Sequence, residues 1–205
     1  MVEMVIIPEK NRRTLCVSSQ AGCALQCTFC ATGAQGFDQN LESHEIIGQL
    51  WLANFNQNNT KPITNVVFMG MGEPLLNYDS VIESAKIMKD QLSYGLSRKR
   101  ITISTSGIVP NINKLSKEID VSLAISLHAA ENNLRNEIVP INKKYPIESL
   151  IKACKEYLNY FDNKRNITIE YILIDGINDS IEHAKKLSKL LSDISCKINL
   201  IPFNS

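Results

Sequence analysis

Three of the six cysteines in this 205-residue chain fall within eight residues, Cys23-Ala-Leu-Gln-Cys27-Thr-Phe-Cys30, a C-x3-C-x2-C spacing. In a reducing compartment, thiols packed this closely serve as metal ligands or catalytic groups rather than as a disulfide framework. A structural zinc ion takes four ligands, usually as two separated pairs. The chain has no second pair, and Cys16 is an awkward recruit because it lies inside an expected strand. An iron–sulfur cluster normally takes four thiolates, so three leave one iron with an open position for a substrate or cofactor. The spacing by itself leaves both chemistries open.

Such a loop needs a scaffold, and the chain supplies one by alternation. Short runs rich in Val, Ile and Thr occur at 14–20 (TLCVSSQ), 65–70 (NVVFMG), 100–107 (RITISTSG), 121–128 (VSLAISLH), 166–174 (NITIEYILI) and 197–203 (KINLIPF), each read as a strand. Between them, SHEIIGQLWLANF, SVIESAKIMKDQL and IESLIKACKEYLNYF place apolar residues at helical spacing. Alternating β and α elements imply a parallel sheet with right-handed crossovers. The expected fold class is therefore α/β, a partial open (β/α)6 barrel, because six units are too few to close an eightfold barrel. A doubly wound sheet is the alternative.

In either architecture, chemistry collects where the strands end. The cysteine loop follows the first strand, and polar or glycine-rich segments follow later ones: Gly70, Gly72, Glu73 and Pro74, then Ser104 in STSG, then Ser126, Leu127 and His128, then Asn204 in PFNS. Glycines let a backbone approach a ligand, and Glu73 can accept hydrogen bonds from a cationic amine. His44 and His183 sit in helical patterns without partners and read as structural or solvated. Cys154 falls on an apolar helical stripe and reads as core, while Cys196 stands at the amino end of the last strand, away from the strand ends that carry the site.

With 44% hydrophobic and 21% charged residues, the chain is a globular domain able to bury a core. No apolar run approaches the ~18–20 residues of a membrane span, and the start is too promptly charged for a signal peptide, so a cytoplasmic location is expected. A net charge of +1 selects no partner. The short basic clusters at Lys10, Arg12 and Arg13, at Arg98, Lys99 and Arg100, and at Lys143 and Lys144 each read as solvated surface.

The cysteine spacing together with these strand ends resembles the radical S-adenosylmethionine superfamily. That resemblance implies a 4Fe-4S cluster on Cys23, Cys27 and Cys30 whose open iron binds S-adenosylmethionine, with Phe29 beside the adenine. More narrowly, TLCVSSQAGCALQCTFCATGAQGF, FMGMGEPLLNY, ISTSGIVP, DVSLAISLHAA and LIPFN resemble the adenine-C2 methyltransferases of 23S rRNA and tRNA along essentially the whole chain. The narrower resemblance implies cofactor contacts at Gly72, Glu73, Ser104, Ser126, Leu127, His128 and Asn204, and a catalytic role for Cys16. It also implies an RNA partner, an external reductant such as flavodoxin or ferredoxin, no membrane partner, and a monomer. Carbon 2 of adenine is a poor nucleophile, so the cofactor must supply radical chemistry.

The family also carries an N-terminal accessory domain and a C-terminal segment with a methyl-bearing cysteine, so residues 1–205 are expected to be the core domain alone, with incomplete methylating machinery. The runner-up is an adenine-C8 methyltransferase, to which GEPLLN and QAGCALQCTFC are less similar. A reading from another class is a non-catalytic iron–sulfur or zinc RNA-binding protein.

Overall fold

A computed structural model of the chain describes residues 2–55 and 61–203. The elements run β1 (Val5–Pro8), β2 (Arg13–Cys16), β3 (Gln20–Gly22), α1 (Ala31–Gln35), β4 (Phe37–Asn40), α2 (Ser43–Phe55), β5 (Asn65–Phe68), α3 (Tyr78–Lys89), β6 (Ile101–Thr105), α4 (Val109–Glu118), β7 (Ser122–Ser126), α5 (Asn132–Ile138), α6 (Ile147–Tyr160), β8 (Ile167–Leu173), α7 (Ile181–Leu191) and β9 (Cys196–Pro202). One seven-stranded sheet has the order β1-β2-β5-β6-β7-β8-β9, and β3 with β4 forms a separate two-stranded sheet. From β2 to β9 every pairing in the large sheet is parallel, while β1 is added antiparallel to β2. The six expected strands are present, curled into a half-barrel.

The expected strand at 14–20 is two. It stops at Cys16, and β3 begins at Gln20 in the other sheet. Ser18 shows why: its N–H donates to Gln49 Oε1 at 2.8 Å, and its carbonyl accepts from Gln49 Nε2 at 2.9 Å. One buried amide on α2 thus satisfies both backbone groups that a neighbouring strand would otherwise pair.

The two faces of the parallel strands differ in kind. Leu15, Val66, Ile103, Leu123, Ile125, Ile169 and Tyr171 are buried, and they join helix residues such as Leu50, Ile112, Leu150 and Leu158 in one core. Full burial of each Leu or Ile contributes roughly 1.5–3 kcal/mol. α6 shows the helical side of this packing, with Leu150, Ala153, Cys154, Tyr157 and Leu158 inward at spacings of three and four. On the opposite face, register aligns Thr102 with Ser122, Ser104 with Ala124 and then Thr168, and Ser126 with Glu170 and then Asn199. Those side chains are small or polar, so the concave face stays open where a closed barrel would be filled by branched apolar residues. Cys154 is fully buried in the core, and Cys196 is the first residue of β9, at its amino end. Among the described residues, no helix is long and apolar enough to cross a membrane.

Candidate cluster and cofactor site

The cysteine loop is anchored at both ends and in its middle. Gly22, with φ +74°, closes the β3–β4 pairing; a Cβ there would lie 1.9 Å from the Gly36 carbonyl oxygen, so only glycine fits. Cys23 N–H then donates to that same oxygen at 2.9 Å. Cys30 N–H donates to the Cys27 carbonyl at 3.0 Å and closes the turn, and Thr28 N–H donates to the Ile138 carbonyl at 3.1 Å, fastening the loop to α5. Cys27 and Phe29 pack on Ala129, Ile138 and Val139.

Above the carboxyl ends of the strands lies a cavity of about 280 Å³. All three thiols line it, together with Phe29, Gly70, Gly72, Glu73, Ser104, Ser126 and His128. Gly72 takes φ +96°, and a Cβ there would meet the Gln20 side chain at 2.5 Å, so the glycine permits the close turn that presents Glu73. Glu73 is buried; its Oε1 accepts from Leu75 N–H at 3.0 Å and its Oε2 from Ser106 N–H at 2.7 Å. Burial raises its pKa, opposed by those two backbone hydrogen bonds. Each carboxylate oxygen keeps acceptor capacity beyond these bonds.

His128 follows β7 with φ +61°, a left-handed conformation uncommon outside glycine. Its Nδ1 accepts from Ile172 N–H at 3.1 Å, so the neutral ring carries its proton on Nε2. Burial, with the Arg135 charge adding to it, lowers its pKa to about 3. The imidazole is therefore an uncharged donor at neutral pH. The Phe29 ring stands edge-on to it, centroids 4.7 Å apart.

The donor set fits the iron–sulfur chemistry anticipated for it. Thiolates are the ligands that select such clusters. The Cys27 pKa is pushed up to about 12 by burial and by the charges of Cys23 and Cys30, a crowding of negative charge that a cationic metal centre relieves. Among the described residues, no three His, Cys, Asp or Glu side chains close on a single metal ion. All three thiols line the same cavity, as the ligands of one iron–sulfur cluster would.

Not every anticipated residue meets there. Cys16 is outside the lining; its thiol is hydrogen-bonded with the backbone of Met69, which does line the cavity, and burial raises its pKa. Leu127 is fully buried in the core and does not line the cavity, and its carbonyl accepts from Arg135 Nε at 2.9 Å. Asn204 lies outside the described residues. Of the basic clusters, Lys10, Arg12 and Arg13 lead into the amino end of β2, and Arg98, Lys99 and Arg100 lead into the amino end of β6, opposite the cavity. Lys143 and Lys144 belong to the connection that leaves the carboxyl end of β7. His44 is exposed beside Glu42, and His183 bonds the helix-capping Ser180.

Two residues of consequence are absent from the sequence-based expectation. Glu170, buried on the concave face of β8, lines the cavity and accepts from Asn199 Nδ2 at 2.7 Å. Strict alternation in ITIEYIL places it on the face opposite Ile169 and Tyr171, a signal sufficient to find it. Arg135, wholly buried beneath the loop, has no such signal, because NNLRNEI reads as a solvated helix.

Comparison with known proteins identifies the family. The family model described as the radical SAM superfamily matches residues 17–187. A dual-specificity RNA methyltransferase RlmN from Ruthia magnifica subsp. Calyptogena magnifica is 58% identical over 205 residues, covering all of this chain and 58% of that protein. The protein of the same name from Pseudomonas putida (strain GB-1) is 57% identical over 208 residues, covering 99% of this chain and 55% of that protein. The chain thus spans somewhat more than half the length of these curated relatives. A crystal structure of a radical SAM methyltransferase from Sphaerobacter thermophilus superposes with a TM-score of 0.95 at 43% identity, covering 100% of this chain and 60% of that one. Streptococcus suis SuiB shares the fold, with a TM-score of 0.64 at 15% identity over 95% of this chain and 42% of that one. With the family model matched over most of its length, this chain belongs to the radical SAM superfamily.

Proposed function

We propose that residues 1–205 form the cluster- and cofactor-binding core of an RNA adenine-C2 methyltransferase acting on 23S rRNA and tRNA in the cytoplasm. The observation that carries this reading is the convergence of Cys23, Cys27 and Cys30 with Glu73 and His128 on one cavity, in a chain 57–59% identical throughout to dual-specificity RNA methyltransferases. Cys23, Cys27 and Cys30 would hold a 4Fe-4S cluster, and Gly72, Glu73, Ser104, Ser126, His128 and Asn204 would hold S-adenosylmethionine, with Leu127 supporting them from the core, its N–H and carbonyl both spent within the protein. When bound, the pair supplies the radical chemistry that carbon 2 of adenine requires.

The protein's own contribution is positioning. Glu73 offers a carboxylate fixed by two backbone N–H groups to the cofactor's amine. His128 offers an Nε2–H donor that does not ionise near neutrality. Ser104 and Ser126 present hydroxyls from adjacent strands on the concave face. Cys16 holds its proton at neutral pH and becomes a nucleophile only after giving that proton to a base. A target adenine must leave its stack to reach the cavity, which favours a single-stranded or remodelled RNA segment. Lys143 and Lys144 are the clustered cations on that side. An external flavodoxin- or ferredoxin-type reductant supplies the electron, and the chain acts as a monomer.

Cofactor cleavage tests the reading. After anaerobic reconstitution and reduction, the chain should release 5′-deoxyadenosine from S-adenosylmethionine, and Cys23→Ala, Cys27→Ala or Cys30→Ala should each abolish both release and cluster. A fully loaded wild-type chain that left the cofactor intact would contradict it.

A further inference from the structure

Arg135 is 0% exposed, yet it pairs with no carboxylate among the described residues. Its fork is spent on neutral acceptors: Nε donates to the Leu127 carbonyl at 2.9 Å, Nη1 to Asn142 Oδ1 at 2.8 Å, and Nη2 to the carbonyls of Ser106 at 2.6 Å and Ser126 at 3.1 Å. These bonds tie the end of β6 to the end of β7. Ser106 is also the residue whose N–H holds Glu73, so the guanidinium steadies the carboxylate through one intervening residue.

Carbonyl dipoles solvate a buried cation only in part, and a buried charge without a counter-ion is destabilising. A neutral donor could have bridged the same strand ends without that cost. The missing anion is close by. The helix that carries Arg135 receives the Thr28 N–H on its last residue, Ile138, and packs under Cys27 and Phe29.

We propose that Arg135 is a positioning and charge-compensating residue for the cluster: its buried guanidinium fixes the strand ends around the cavity and places a permanent positive charge beneath the cysteine loop, favouring the reduced, more negative state of the centre. The inference rests on the cluster-binding reading above. Three thiolates and their metal centre supply the anion that the protein by itself withholds from Arg135. Its location outside the cavity lining separates this role from contact with the cofactor.

The test is redox potentiometry of the reconstituted full chain, with Arg135→Gln removing the charge and Arg135→Lys keeping it. Arg135→Gln should hold normal iron and show a lower midpoint potential, by about tenfold in the reduction equilibrium or about 59 mV for a one-electron couple. Arg135→Lys should stay near the wild-type potential. An unchanged potential in loaded Arg135→Gln overturns the proposal. Should only Arg135→Lys fold, a wild-type potential in it supports the charge role and a lowered one overturns it. If neither folds, Arg135 is a structural clamp and the proposal falls. A wild-type chain that takes up no iron removes the cluster-binding reading as well, whereas an unaltered Arg135→Gln leaves that reading standing.

Discussion

Along β7, Leu123 and Ile125 turn towards the helices and are about 1% exposed, whereas Ser122, Ala124 and Ser126 alternate onto the opposite face, where Ser126 lines the cavity. The same division runs along β6 and β8, where Ile103 opposes Ser104 and Ile169 opposes Glu170. One strand therefore serves two ends. Its outer face supplies the burial that stabilises the sheet, and its inner face forgoes that burial to leave room for ligands. Stability and function are separated by the two-residue period of a strand.

The contrast is sharpest in substitutions on opposite faces. Leu123→Ala should cost about 2–5 kcal/mol in urea unfolding, from lost transfer energy and an added cavity. Its midpoint should fall well below the wild type's, and a change under about 1 kcal/mol would mean that the outer face is not the principal source of stability.

His128 sits where the two roles meet, and pH separates it. Its folded pKa, about 3, lies below its ordinary 6.5, so within that window the unfolded chain binds a proton that the folded chain refuses. Stability from this group is complete above pH 6.5 and is lost as pH falls towards 3, at up to about 1.4 kcal/mol per pH unit. Unfolding midpoints measured across that range should decline more steeply for the wild type than for His128→Gln; parallel slopes would show that the ring is not held neutral.

The smallest effect on folding belongs to the inner face. Ser126→Ala should change stability by no more than about 0.5 kcal/mol, while weakening S-adenosylmethionine binding by roughly 2- to 10-fold, the worth of one neutral hydrogen bond. Calorimetric titration of the loaded chain checks this. A large loss of stability with unchanged affinity would reverse the assignment of the two faces.

Much of this division is legible in the amino-acid sequence. The runs from NVVFMG to KINLIPF mark strands in the right order because β-branched residues and period-two patterns record burial directly. The cysteine loop and the polar strand ends stand out because their residue types are costly to retain without a use. What is not legible depends on long-range partners. β1 joins β2 antiparallel through contacts that its short VIIP run does not encode. The break at Ser18 is made by Gln49, thirty-one residues away. Arg135 is buried only because three carbonyls and Asn142 surround it, and nothing in its neighbours along the chain marks a cation as internal.

Everything proposed for the site depends on the cysteine wall holding a cluster with one position left for the cofactor. Electron paramagnetic resonance of the reduced, anaerobically reconstituted chain, recorded with and without S-adenosylmethionine, tests this most directly. A four-iron signal should appear, change when the cofactor is added, and be absent in Cys27→Ala. A signal indifferent to the cofactor, or no cluster on the wild-type chain, would contradict it.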